Sequence, residues 1–224
     1  GPPGTGKTML ARAFSGILPQ LSEEEVFEVS SIYSVAGLLE KGLVTLPPFR
    51  APHHTSSYVS LVGGGTIPRP GEITLAHRGV LFLDEFPEFD KRVIESLRQP
   101  LEDGKISIAR AKGSAIFPAR VTLIASMNPC PCGFYESNMR RCVCSPQDLS
   151  RYRRKLSGPI VDRIDLWLSV DGVEYKTLSE RAGSGAKSED MRERVAQARA
   201  KQKTRFASLG RKIRMNSEMS ARDL

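Results

Sequence analysis

No run of apolar residues in the sequence approaches the roughly 18 that a membrane-spanning helix requires. The sequence also does not open with the basic and apolar pattern of a signal peptide. Cysteine is missing everywhere except in residues 130–144, so no disulfide bond can form elsewhere in the chain. These absences argue against a membrane protein and predict a cytoplasmic location.

The composition is that of a globular protein. The chain has 224 residues, of which 40% are hydrophobic and 26% are charged, enough for one large domain or for one domain and a fragment. The net charge of +8 is concentrated in residues 176–214, which hold 12 Lys or Arg and 4 Asp or Glu. Such a segment favours an anionic partner such as nucleic acid, although a solvated helix face is at least as common an explanation.

The sequence begins with GPPGTGKT, which matches the phosphate-loop pattern G-x-x-x-x-G-K-[ST] of nucleotide hydrolases. Glycines allow backbone N–H groups to surround a phosphate, and the helix that follows directs its positive end at the same anion. Lys7 is predicted to contact the outer phosphates, and Thr8 to hold Mg²⁺ through its hydroxyl. A chance glycine-rich turn is the alternative. The strand that precedes such a loop is expected before Gly1, so we expect a chain truncated at its start.

A buried strand that ends in two acids is predicted at residues 79–86, GVLFLDEF. Ligands bind at the carboxyl ends of parallel strands, so Asp84 is predicted to bind Mg²⁺ and Glu85 to activate the attacking water. A strand with a purely structural aspartate cap is the alternative. Asn128 follows another predicted strand, residues 121–126, where its amide can orient that water.

Capping signals predict two helices. Ser22 and Glu25 form a capping box before a helix over residues 23–36. Ser145 and Pro146 supply an N-cap and a first-turn proline for a basic helix that extends to about residue 156.

Further strands are predicted from residue 105 onward. Residues 105–126 are predicted as strand, turn, strand and strand, with Arg110 and Lys112 in a turn over residues 109–114. Residues 164–170, IDLWLSV, alternate apolar and polar side chains and predict a strand with Trp167 partly buried on its second face.

His53 and His54 lie in a long loop rich in proline, glycine and serine, of the kind that is usually functional or disordered. Adjacent histidines without an acidic or cysteine neighbour are more often polar loop groups than metal ligands.

The cysteines form two Cys-x-Cys pairs, and four thiolates close in sequence can surround Zn²⁺ tetrahedrally. A disulfide is disfavoured in a cytoplasmic enzyme, and a redox motif has more typically the spacing Cys-x-x-Cys. A closed site of this type is structural rather than catalytic. Four unligated thiols are the alternative. The ligands would be Cys130, Cys132, Cys142 and Cys144.

Five segments together resemble the magnesium-chelatase-like AAA+ ATPases, in particular the branch that includes bacterial competence proteins. They are GPPGTGKT, FRAPHHTSS, RPGEITLAHRGVLFLDEF, ISIARAKGSAIFPARVTLIASMNPCPCG and LSGPIVDRIDL, which extend over nearly the whole chain. The resemblance implies an α/β fold, namely an AAA+ P-loop NTPase core with a parallel central sheet, a helix-2 insert and a hairpin before the sensor 1 residue, truncated at both ends.

The resemblance also implies roles for single residues. Asp84 and Glu85 correspond to the Walker B acids and Asn128 to sensor 1. Arg163 corresponds to the arginine finger that reaches the γ-phosphate of a neighbouring subunit, although pairing with Asp162 or Asp165 is the alternative. The Walker A loop is Gly1–Thr8, with nucleotide contacts at Gly1, Gly4, Thr5, Gly6, Lys7 and Thr8.

The family implies a homo-hexameric ring that binds ATP and Mg²⁺ between subunits. An insert at residues 63–71 and a hairpin with Lys105, Arg110 and Lys112 would face the pore, where repeated phosphate contacts bind DNA. A competence-type relative implies a DNA-stimulated motor for branch migration in recombination or transformation.

Two other functions remain open. One is a chelatase-like or chaperone-like ATPase that remodels a protein, against which the basic hairpin argues. The other is a zinc-braced DNA-binding module with a degenerate nucleotide site, against which the intact Lys7, Asp84 and Glu85 argue.

The resemblance divides the chain into a core at 1–175 that lacks its first strand, a linker at 176–190 and the start of a helical lid at 191–224. We expect this fragment to bind ATP poorly and to hydrolyse it slowly or not at all, because that strand and a lid arginine are missing. The complete protein is expected to be an ATPase.

Overall fold

A computed structural model of the chain describes residues 1–40, 42–110, 113–172, 185–207 and 215–219, with Arg110 described by its backbone alone. The strands are β1 (Phe49–Arg50), β2 (Gly63–Gly64), β3 (Arg69–Pro70), β4 (Val80–Leu83), β5 (Lys105–Arg110), β6 (Gly113–Pro118) and β7 (Thr122–Ala125). The helices are α1 (Lys7–Gly16), α2 (Glu23–Ala36), α3 (Tyr58–Val62), α4 (Glu72–Leu75), α5 (Lys91–Ser96), α6 (Arg98–Asp103), α7 (Pro146–Arg153), α8 (Gly158–Val161) and α9 (Ser188–Ala207). Short 3₁₀ turns lie at Phe86–Glu88 and Asn216–Glu218.

The central sheet is parallel and has three strands in the order β1-β4-β7. Val80 of β4 pairs with Phe49 on one side and with Thr122 on the other. Parallel pairing brings the carboxyl ends of β4 and β7 to the same edge of the sheet, directly before Asp84 and Ser126. The expected α/β fold with a parallel central sheet is therefore confirmed.

Strand β4 is apolar throughout because both of its faces are covered. Val80 and Phe82 belong to one apolar cluster with Ala11 of α1. Leu81 and Leu83 belong to a second, larger cluster formed by residues of α3, α5, β5 and other segments. The continuous run VLFL thus predicts correctly a strand buried on two sides.

The predicted helix caps are present. The Ser22 side chain accepts a hydrogen bond from the Glu25 amide, and the Glu25 carboxylate accepts one from the Ser22 amide, so that α2 starts at Glu23. Ser145 makes the equivalent reciprocal pair with Asp148 at the start of α7.

The β5–β6 hairpin is tighter than its sequence suggested. Pairing continues to Arg110 and Gly113, so residues 109, 110, 113 and 114 of the predicted turn 109–114 belong to the strands. Lys112 and the side chain of Arg110 lie outside the described part of the chain. A second hairpin, β2–β3, falls within the predicted insert, and a Cβ on Gly63 would stand 2.4 Å from the Arg69 carbonyl oxygen.

The prediction of a strand at residues 164–170 is wrong. This segment has no regular secondary structure, and Trp167 is 55% exposed instead of partly buried. Alternating side chains give a strand only where a neighbouring strand supplies hydrogen bonds, and none of the strands in the described part of the chain pairs with this segment.

The last helix also begins earlier than predicted. Helix α9 starts at Ser188, so residues 188–190 of the predicted linker are helical. The side chain of Arg192 donates to the Gly16 carbonyl oxygen at 2.9 and 3.0 Å and thereby attaches α9 to the end of α1. Residues 173–184, 208–214 and 220–224, which include most of the linker and part of the lid, are outside the described residues. Within the described ranges, no helix combines the length and apolar character needed to cross a bilayer.

Candidate nucleotide site

The phosphate loop depends on two glycines in left-handed conformations. Gly4 has φ 78° and Gly6 has φ 77°, a region that residues with a Cβ rarely adopt. Gly6 is also the N-cap of α1, where no side chain caps the helix. First-turn amides without a side-chain cap can bind an anion such as phosphate. The loop geometry therefore fits the predicted phosphate site.

Lys7 connects the phosphate loop to the segment after β7. Its Nζ donates to the carbonyl oxygens of Gly1 and Pro2 at 2.8 and 2.6 Å, and to Asn128 Oδ1 at 3.2 Å. Desolvation lowers the pKa of Lys7, while the charge of Asp84 opposes this shift. The ammonium group therefore lies among loop carbonyls and the predicted sensor 1 amide.

Thr8 and Asp84 form the second part of the site. Thr8 Oγ1 donates to Asp84 Oδ2 at 2.7 Å, while Ser126 Oγ and the Glu85 amide donate to Asp84 Oδ1. Burial would raise the pKa of Asp84, but these hydrogen bonds outweigh it and hold the pKa below its ordinary value. A hydroxyl and an ionised carboxylate are hard oxygen ligands of the kind that Mg²⁺ prefers. The donor set therefore fits the predicted magnesium site.

Ser126 was not identified from the sequence as a site residue. It is the last residue of the predicted strand 121–126, where a small polar side chain gives no distinctive signal. The sheet register alone brings it next to Asp84.

Glu85 has an unusual backbone. Its φ is 53° and its ψ is 45°, a left-handed conformation that costs a residue with a side chain roughly 1–3 kcal/mol and is enriched at functional sites. Arg78 and Glu136 also have positive φ angles. The carboxylate Oε2 lies 3.0 Å from Nδ1 of His54. The ring of His54 packs against that of His53, with centroids 4.2 Å apart and the planes tilted by 33°, and His53 Nδ1 lies 2.8 Å from Thr55 Oγ1.

Sequence reasoning described His53 and His54 as polar loop groups. That description fits His53, but it missed the contact of His54 with Glu85. No spacing rule connects these positions, and only the fold brings them together.

Asn128 is held at both its side chain and its backbone. Besides the contact of Oδ1 with Lys7, its carbonyl oxygen accepts a hydrogen bond from the Tyr152 hydroxyl at 3.1 Å. Tyr152 lies on α7, and burial raises the pKa of its hydroxyl to about 12, so that it remains a donor at neutral pH.

Arg163 lies outside this group of contacts. Its guanidinium pairs with Glu102 of α6, with Nε 2.8 Å from Oε1, instead of with Asp162 or Asp165. This pair is partly exposed, with 44% of the Arg163 side chain and 38% of the Glu102 side chain accessible.

The predicted DNA-binding residues lie on the β5–β6 hairpin and not at the phosphate loop. Lys105 opens β5 and is exposed, whereas Ile106 and Ile108 on the same strand face the core. Beyond them the strand continues to Arg110, next to the connection that carries Lys112.

The four cysteines come together in space. Their Sγ atoms all lie within 4.8 Å of one another, and each is a free thiol. Backbone hydrogen bonds from Val143 and Phe134 lower the pKa of Cys132 to about 6. At Cys142 and Cys144 a backbone hydrogen bond is outweighed by desolvation and the neighbouring thiols, which raise the pKa above its ordinary value. Such a group of sulfur ligands can hold a metal ion.

Comparison with known proteins agrees with the geometry. The sequence model of the family described as "Magnesium chelatase, subunit ChlI" matches residues 1–178. The chain is 46% identical over 224 residues to "Competence protein ComM" of Haemophilus influenzae, covering 100% of this chain and 43% of that protein. It is 46% identical over 215 residues to "Uncharacterized protein YifB" of Salmonella typhimurium, covering 95% and 42%. It is 47% identical over 223 residues to "Uncharacterized protein Rv2897c" of Mycobacterium tuberculosis, covering 98% and 43%.

The chain thus spans less than half the length of these relatives. The resemblance found in the motifs is confirmed by both the family match and the level of identity. The chain belongs to the magnesium chelatase, subunit ChlI, family.

Proposed function

We propose that this chain is the nucleotide-hydrolysing core of a Mg²⁺-dependent AAA+ ATPase that acts on DNA. The observation that carries the proposal is the convergence of Lys7, Thr8, Asp84 and Asn128 where two parallel strands end beside the phosphate loop. Each of these groups has the chemistry needed for a metal–triphosphate complex, and their mutual hydrogen bonds hold them in place.

The nucleotide would be held by Gly1, Gly4, Thr5, Gly6, Lys7 and Thr8. MgATP supplies the reactive phosphoryl group and a divalent charge that neutralises it. Thr8 and Asp84 would hold the metal, and Lys7 would exchange its carbonyl partners for the outer phosphates.

Glu85 is proposed as the base that takes the proton of the attacking water, and Asn128 as the group that orients this water. The left-handed backbone of Glu85 and its contact with His54 support a special role for this carboxylate. The ionised Asp84 remains available for the metal.

Arg163 is proposed to act on the site of a neighbouring subunit, in a homo-hexameric ring. Support comes from its position: it pairs with Glu102 on a partly exposed surface instead of contacting the phosphate loop of its own chain. A cation supplied in trans stabilises the charge that develops on the transferred phosphoryl group.

DNA is the proposed substrate of the motor, single-stranded or branched and bound in the pore of the ring. Lys105, Arg110 and Lys112 would make contacts that six subunits repeat around one channel, as each phosphate contact alone is weak. The net charge of +8 supports an anionic partner, and the relatives include a competence protein. The activity proposed for the motor is that of a helicase or branch-migration ATPase in the cytoplasm.

The same proposal assigns a structural Zn²⁺ to the four cysteines and divides the chain into a core at 1–175, a linker that ends before α9, and a lid that begins with α9 at Ser188.

A second function follows from the family name, which refers to a chelatase subunit. In that case the ATPase would remodel a protein, and the basic hairpin would be a solvated surface. DNA dependence of the ATPase separates the two.

The test is ATP turnover by the full-length protein with and without single-stranded or branched DNA. Lys7→Ala is expected to abolish nucleotide binding, whereas Glu85→Gln is expected to retain binding and lose turnover. Turnover that survives both substitutions would place hydrolysis elsewhere and contradict the proposal.

A further inference from the structure

Three sulfur–sulfur separations in the cysteine cluster are close to those of an occupied zinc site, and all four sulfur atoms lie within 4.8 Å of one another. Cys130 Sγ lies 3.4 Å from Cys132 Sγ and 3.8 Å from Cys142 Sγ, and Cys132 Sγ lies 3.6 Å from Cys142 Sγ. Four thiolates around one Zn²⁺ at the usual Zn–S length have sulfur atoms about 3.8 Å apart. Disulfide sulfurs would be about 2 Å apart, so the separations exclude a disulfide.

The backbone around the cluster is arranged like that of a metal-thiolate site. The amide of Tyr135 donates to Cys130 Sγ at 3.3 Å, and the amide of Cys132 donates to Cys144 Sγ at 3.4 Å. N–H groups directed at sulfur stabilise thiolates and orient them toward a metal. Residues 126–145 contain no helix or strand. A bound metal ion would therefore be the main cross-link between the two cysteine pairs of this stretch.

One side of the cluster touches the phosphate loop. Gly133 follows Cys132 with φ 85°, and a Cβ at this position would stand 2.7 Å from Cδ of Pro3. The segment that follows the first cysteine pair therefore contacts the phosphate loop at Pro3.

The other side of the cluster leads into α7. Cys144 directly precedes the N-cap Ser145, and α7 carries Tyr152, whose hydroxyl bonds the Asn128 carbonyl oxygen. Asn128 lies two residues before Cys130 and contacts Lys7. The first cysteine pair is thus linked to Asn128 along the chain, and the second pair is linked to it through Tyr152 of α7.

We propose that Zn²⁺ bound by Cys130, Cys132, Cys142 and Cys144 is a positioning element of the nucleotide site. The ion fixes the distance between the segment 127–133 and α7, and through Gly133 and Tyr152 this fixes the phosphate loop and Asn128. Nucleotide affinity therefore depends on zinc although the ion touches no nucleotide. The coupling rests on the proposed nucleotide site, whereas zinc binding itself does not.

The test measures zinc content and nucleotide affinity separately on the full-length protein. Zinc is determined by elemental analysis of protein purified under reducing conditions, and affinity by titration with a fluorescent ADP analogue. We expect about one zinc per chain, as a closed four-cysteine site holds one ion. Lys7→Ala should keep the zinc and lose the nucleotide, which separates the zinc assignment from the nucleotide proposal.

The main variant is Cys142→Ser with Cys144→Ser, and Val143→Ala is its matched control because the Val143 side chain is 79% exposed in the same loop. The double variant should lose zinc and bind nucleotide about 10- to 100-fold more weakly, the cost of displacing binding groups by about 1 Å. The control should change neither quantity.

Tyr152→Phe tests the connection without altering the cluster and covers the case in which the cysteine variant does not fold. It removes one hydrogen bond to Asn128, so zinc content should stay the same and nucleotide affinity should fall about 5-fold. Absence of zinc from the wild-type protein, also after incubation with Zn²⁺, would overturn the metal site. A folded zinc-free variant with wild-type nucleotide affinity would overturn the coupling.

Discussion

The imidazole of His54 contacts the carboxylate of Glu85, with Nδ1 3.0 Å from Oε2. His54 lies in the loop between β1 and α3, and α3 continues directly into the β2–β3 hairpin. The proposed base, Glu85, is therefore linked to the β2–β3 hairpin through its contact with His54 and the short segment that follows His54. A carboxylate that is 53% exposed would otherwise be free to change rotamer.

His54→Ala is expected to lower kcat of ATP hydrolysis about 10-fold by releasing Glu85 from its orientation, with little effect on nucleotide affinity. His54→Gln should recover part of the loss because its amide can donate to the carboxylate. His53→Ala is the matched control and should lie near the wild type. Equal losses in the two alanine variants would show that the loop as a whole matters, and not the contact with Glu85.

The hydroxyl of Thr8 is expected to determine the response to Mg²⁺. Thr8→Ala removes an oxygen ligand and the donor to Asp84, so the Mg²⁺ concentration for half-maximal turnover should rise about 10-fold or more. Thr8→Ser keeps the hydroxyl and should stay close to the wild type. The measurement is turnover in a Mg²⁺ titration, and a serine variant as defective as alanine would contradict the role of the hydroxyl.

Arg163 is expected to act between subunits. Arg163→Ala should lower turnover about 10³-fold or more, the usual effect of losing an arginine finger. Mixing this variant with Glu85→Gln should restore part of the activity, because an intact Arg163 of one subunit can then face an intact Glu85 of another. Mixtures that stay as inactive as the separate variants would contradict action in trans.

His77 should make the folded state sensitive to mild acid. The side chain is 2% exposed, its Nδ1 accepts a hydrogen bond from the Arg120 amide, and its Nε2 lies 3.3 Å from Glu28. Desolvation and the charge of Arg78 lower the pKa of His77 from 6.5 to about 4 in the folded state.

Between these pH values the unfolded chain binds more protons at this position than the folded one, so the free energy of unfolding falls as the pH falls. The expected loss is roughly 3 kcal/mol between pH 6.5 and 4. Urea unfolding of His77→Gln should show a weaker pH dependence in this interval. An equally steep dependence in the variant would assign the effect to other groups.

The sequence predicts local structure well where neighbouring residues determine it. The capping residues Ser22 and Ser145 start their helices as predicted, because a cap involves only the next three residues. The apolar run of β4 is buried as predicted, since it is long enough to show burial on both faces.

Contacts between distant segments could not be predicted in this way. The contacts of His54 with Glu85 and of Arg163 with Glu102 join positions that no sequence period relates. The segment 164–170 has the alternation of a strand, yet forms none, as alternation does not supply a neighbouring strand.

The most direct test of the proposed function is the dependence of ATP turnover on DNA in the full-length protein. Branched DNA should raise turnover about 5-fold or more, within the usual range of coupling between two sites. Arg110→Ala with Lys112→Ala should remove most of this stimulation. Lys91→Ala with Arg92→Ala, which removes the same charge from exposed positions of α5, should retain it. Turnover that depends on Lys7 and is the same with and without DNA would contradict a DNA motor and favour an ATPase that remodels a protein.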